Sequence, residues 1–186
     1  MTRQILLPAL ATVATLALSL PAWSHEFSLL LLAPTGASQA EIDEMRAAFL
    51  IAAHERDSHP DETSEGHLGG MDVQLTLATA DSALADTTLA FVAAPFATAD
   101  DARVAALAAP GDAVIVDADT LAVLPANAPE GNADAGPFAN RFLAETGRAP
   151  GPAALGAYRA ARVVDLAVRS LGSVDDRAEL RRMLAP

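Results

Sequence analysis

The chain has 186 residues, a formal charge of −12, no cysteine and no lysine, so every basic side chain is an arginine. This acidity argues against nucleic acid and anionic membrane surfaces as partners and favours cations or basic protein surfaces. Disulfides, thiol chemistry and Schiff-base lysines are excluded, and packing alone must stabilise the fold.

Residues 1–24 read as a secretory leader. Arg3 precedes an apolar run over 5–20, then Pro21 and the small-residue site Ala22-Trp23-Ser24, which predicts cleavage before His25. The run is shorter than the roughly 20 residues that span a bilayer. The expectation is an exported, periplasmic protein with no membrane insertion. Its remaining 162 residues (186 less 24) suffice for one domain and would be cramped for two full lobes.

FSLLLLA (27–33) is a continuous apolar run ending in Pro34-Thr35-Gly36, the pattern of a buried strand and a tight turn. Ser38, with Glu41 three residues on, forms a capping box, and Ile42, Met45, Phe49 and Ala52 keep helical spacing as far as His54. A polar stretch to Gly69-Gly70 breaks that helix, and MDVQLTLA (71–78) reads as a strand, so a β-α-β unit with parallel pairing is implied. The pattern then repeats. TTLAFVAAPF holds a strand at 89–93, a short helix covers 99–108 with Asp100 and Asp101 in its first turn, and DAVIVDA holds a strand at 113–117. Residues 125–137, rich in Pro, Gly, Asn and Asp, read as a linker or long loop. Helices follow over 138–146, 152–171 and 174–184, the middle one lining Ala154, Ala157, Tyr158, Ala161, Val164 and Val168 along one face.

Together FSLLLLAPTG, EMRAAFLIAAHERD with GHLGGMDVQLTLA, LAFVAAPFATADDARVAALAAPGDAVIVDAD and GPFANRFLAETGRAPGPAALGAYRAARVVDLAVRSLG resemble the type 1 periplasmic substrate-binding proteins of branched-chain amino acid ABC transporters. The resemblance implies an α/β fold: one doubly wound, mainly parallel sheet of about four strands flanked by helices. It divides the chain into leader 1–24, α/β lobe 25–124, linker or loop 125–137, and C-terminal helices packed on the lobe at 138–186. Family members clamp their ligand between two lobes. The strands of a second lobe are missing here, which leaves an open shelf.

The family's ligand contacts come from loops after strand ends, which by resemblance are Thr35, Phe96, Thr98, Asp117 and Asp119. Where the family offers serine hydroxyls to a ligand carboxylate, this chain has Phe96 and Ala97. Asp117 and Asp119 would repel a carboxylate, so a cationic or neutral ligand fits better. The implied partners are a small-molecule ligand, an ABC transporter permease, and a protein that replaces the missing lobe.

HERDSHPDETSEGH (54–67) contains three of the four histidines. His54, His59, His67 and Glu65 are candidate ligands for zinc or copper, with Asp61 and Glu62 beside them. Their spacing matches no rigid motif, and a solvated acidic loop accounts for the same residues. No other cofactor is expected. The helix over 39–54 must run antiparallel to the strands, so this stretch belongs at the edge where strands begin, opposite the shelf.

No enzyme is expected, since G-x-S-x-G, G-x-G-x-x-G and Walker patterns are missing and Asp117 with Asp119 read better as caps than as an acid/base pair. Three functions follow. The first is an exported, non-catalytic solute-binding or accessory protein. The second is a metal-binding or metal-delivery protein using 54–67, and the third a degenerate structural partner in a periplasmic complex.

Overall fold

The computed structural model describes residues 26–55, 65–79, 88–98, 100–123 and 135–185. Residues 1–25, which include the expected leader, the metal-binding candidates His59, Asp61 and Glu62, and residues 125–134 of the expected linker or loop lie outside the described residues. In chain order the elements are β1 (Glu26–Leu32), α1 (Gln39–His54), β2 (His67–Leu68), β3 (Met71–Ala78), β4 (Phe91–Ala94), α2 (Ala102–Ala108), a 3-10 turn (Ala109–Gly111), β5 (Val114–Asp117), α3 (Ala118–Val123), α4 (Ala135–Thr146), α5 (Pro152–Leu171) and α6 (Arg177–Leu184).

β1 is apolar throughout its second half because neither face reaches water. Leu29, Leu31 and Phe27 face one core, and Leu30 and Leu32 face another. The strands form one sheet in the order β2-β3-β1-β4-β5. β1 pairs in parallel with both β3 and β4, and β4 with β5; only β2 runs antiparallel, against β3. The four strands expected from the sequence are thus parallel neighbours.

β2 is a fifth strand that the sequence pattern does not predict. His67-Leu68 folds back on Met71-Asp72 through Gly69 (φ +66°) and Gly70 (φ +84°), both in the left-handed region that a tight two-residue hairpin turn requires. A strand of two residues is too short to carry an alternation pattern, so the glycine pair read only as a break.

The first core lies between the sheet and α1, α4, α5 and α6; the second is smaller, with α2 supplying Val104 and Ala108. Helices therefore flank both faces, as crossovers leaving a central strand in opposite directions demand. α1 begins as its capping box predicts. The Ser38 N–H donates to Glu41 Oε2 at 2.8 Å and the Glu41 N–H donates to Ser38 Oγ at 3.3 Å. The backbone and side-chain hydrogen bonds from Ser38 hold the Glu41 carboxyl below its ordinary pKa. The buried face of α1 also takes in Ala48, Ile51 and Ala53, wider than the stripe read from the sequence, because α5 packs alongside.

α5 starts at Pro152 and stops at Gly172 (φ +71°), whose N–H caps the Val168 carbonyl. Its small face brings it close to the sheet and to α1. Among the described residues no helix is long and apolar enough to cross a membrane.

Candidate functional site

The strand order makes β1 a switch point: chains leave its C-terminal end toward β3 and leave the adjoining β4 toward β5. Loops diverge there, and open α/β sheets bind ligands in the crevice this creates. After β1, the Ala37 N–H donates to the Pro34 carbonyl at 3.1 Å, closing a turn with Gly36 at φ +78° and Thr35 exposed at its tip. After β4, the Ala97 N–H donates to the Ala94 carbonyl at 3.0 Å, and the Ala97 carbonyl accepts from the Ala118 N–H at 2.9 Å. Those two bonds fix the 95–98 loop against the start of α3.

Phe96 is held in that loop yet remains 42 % exposed. Its ring lies over Gly156 of α5, where an added methyl would come within 2.6 Å of Cζ. Glycine at 156 is therefore what lets the ring lie against the helix. Thr98 is exposed beside it. Further along this edge α5 opens at Gly151 with no side-chain cap, close to Glu44, which pairs with Arg148 at 3.4 Å.

The two aspartates differ. Asp117, 4 % exposed, accepts the Thr120 N–H on Oδ1 at 2.8 Å. Its carboxylate caps α3, a helix where the sequence suggested a binding loop over 117–120. Asp119 is exposed in the first turn of α3. Both border a 270 Å³ groove between the outer edge of β5 and α6, together with Ile115, Thr120, Arg181 and Leu184. The structure thus brings Thr35, Phe96 and Thr98 to one strand edge and turns Asp117 to structural use.

At the opposite edge, two of the described candidates for metal binding, Glu65 and His67, are engaged with protein. Glu65 pairs with Arg46 through one carboxylate oxygen and accepts the Leu75 N–H through the other at 3.0 Å, covering a donor on the outer side of β3. His67 is cross-strand partner to Asp72, with Nε2 2.8 Å from Oδ1. His54 stays exposed at the end of α1. Among the described residues no group of three or more such side chains could hold a metal ion.

The sequence reading missed the polar network behind this edge. Asp165 is only 2 % exposed, and it accepts the Gly69 N–H at 2.8 Å and Arg169 on both oxygens at 2.6 Å. The signal available was one carboxylate on the alanine and valine face of α5; its partner is 96 residues away. Comparison with protein-family models, curated proteins and solved structures gave no significant match.

Proposed function

We propose that this protein is an exported, non-catalytic solute-binding or accessory protein, a single lobe of the type 1 periplasmic kind that receives its ligand on the C-terminal strand edge. The observation that carries the reading is the strand order, with β1 between β3 and β4 and the diverging Thr35 and Phe96 loops at its end. Exposed Phe96 offers an apolar surface, Thr35 and Thr98 offer hydroxyls, and Asp119 adds negative charge farther along. That chemistry favours neutral or cationic solutes over carboxylates. One lobe cannot enclose a ligand, so a second protein, such as a transporter permease or a partner lobe, completes the wall.

Calorimetric titration with a panel of non-zwitterionic solutes, putrescine, spermidine, choline and acetamide, tests this. The expected result is saturable binding of a neutral or cationic member, weakened about tenfold by Phe96→Ala, as for loss of one aromatic contact. Binding indifferent to Phe96→Ala would overturn the assignment of the shelf.

A further inference from the structure

A second depression lies at the other end of the strands, 310 Å³ in volume, at the lower limit of ligand pockets and so suited to a small solute. Six of its nine lining residues are polar or charged. Ser28 and Gln74 are register partners on β1 and β3 and present their side chains from the same face of the sheet. Thr88 adds a hydroxyl from the approach to β4, and Ala90, next in the sheet, is too small to fill the space.

Arg177, in the first turn of α6, borders the same cleft together with Asp175 and Glu26. The guanidinium donates to the Val174 carbonyl and, with five N–H groups, keeps further donors. Burial pulls its pKa below the ordinary value, and Asp175 acts in the opposite sense. A partly buried guanidinium gains more from an anionic partner than a fully exposed one does.

A simple anion would meet repulsion from Asp175 and Glu26, whereas a simple cation would be drawn to those carboxylates but leave the donors of Arg177 unused. We propose that this cleft binds a small zwitterion, its carboxylate on Arg177, its ammonium toward Asp175, and the remaining lone pairs and N–H groups of those two charged ends on Ser28, Gln74 and Thr88. The site is separate from the shelf and does not depend on the function proposed for it.

Glycine is the probe, with acetate and methylammonium as single-charge controls, followed by amide and side-chain NMR shifts of the full chain. Saturable glycine-dependent shifts are expected at Ser28, Gln74 and Arg177, with Thr35, Gly36 and Thr98 unmoved, so the two edges report separately. Both controls should bind about tenfold more weakly, as should glycine to Arg177→Met, each having lost one charged contact. If Arg177→Met loses spectral dispersion, Gln74→Ala at an exposed position replaces it and should weaken glycine by about threefold. Failure of glycine to saturate, equal binding of acetate, or glycine affinity unchanged in the variant used overturns the proposal.

Discussion

The Tyr158 hydroxyl lies 3.1 and 3.0 Å from the two oxygens of Glu55, joining the middle of α5 to the residue that ends α1. Phe138 stacks on the phenol ring with centroids 4.1 Å apart, and Arg162 approaches the same carboxylate at 3.5 Å. Burial first, and then the Glu55 charge, push the Tyr158 pKa from 10.0 to about 12. Folding therefore keeps the phenol protonated. Its contribution to stability is fully present below pH 10 and is lost as the pH rises through about 12. Tyr158 is the only tyrosine, so phenolate absorbance reports it alone. A native midpoint near the ordinary value would contradict this packing. Glu55→Gln should lower the midpoint without restoring 10.0, because burial is the larger cause.

Gly69→Ala should destabilise the fold by about 2 kcal/mol or more, combining overpacking with a strained positive φ. An alanine Cβ there would come within 2.5 Å of the Val168 side chain and 2.7 Å of the Arg169 nitrogen. Gly70→Ala is the control, since it has a positive φ but nothing within 4 Å. Urea unfolding of the pair should rank Gly69→Ala well below Gly70→Ala; equal losses would mean that only backbone strain matters.

Asp165→Ala should cost about 3 kcal/mol, because it leaves the Gly69 N–H and Arg169 without their shared acceptor. The loss should be local first. Hydrogen exchange at the β2–β3 hairpin is expected to accelerate more than exchange in β4, and uniform acceleration would refute the anchoring role.

Much of this architecture was legible because it is encoded over short distances. Ser38 and Glu41 form a capping box within one turn, MDVQLTLA matches β3 residue for residue, and Pro152 and Gly172 bracket α5. What escaped depends on partners distant in sequence or on very short elements. The sequence suggests a binding loop over 117–120, where α3 begins; Asp117, a favourable N-cap residue, is the signal that points to the helix instead. Nothing near Asp165 points to Gly69, and nothing near Phe96 points to Gly156; only the folded sheet and α5 bring those pairs together. The composition of 54–67 suggests metal ligands, whereas pairing with Arg46, Leu75 and Asp72 decides the use of Glu65 and His67.

Stoichiometric Zn²⁺ or Cu²⁺, or EDTA, should leave the melting temperature essentially unchanged, since a metal held by Glu65 and His67 would have to displace their contacts. A native-state site would stabilise by roughly 4 kcal/mol at a thousandfold excess over Kd. A rise of that size in the parent, lost in a His54→Ala, His59→Ala, His67→Ala triple variant, would restore the metal-binding function.

The central claim, that solute is received at the C-terminal end of β1 and β4, is tested most directly by mapping amide shifts as the panel solute that binds is titrated in. The account predicts that the largest saturable shifts fall on Thr35, Gly36, Phe96, Ala97 and Thr98. Saturable binding whose shifts leave those five residues unmoved would contradict it.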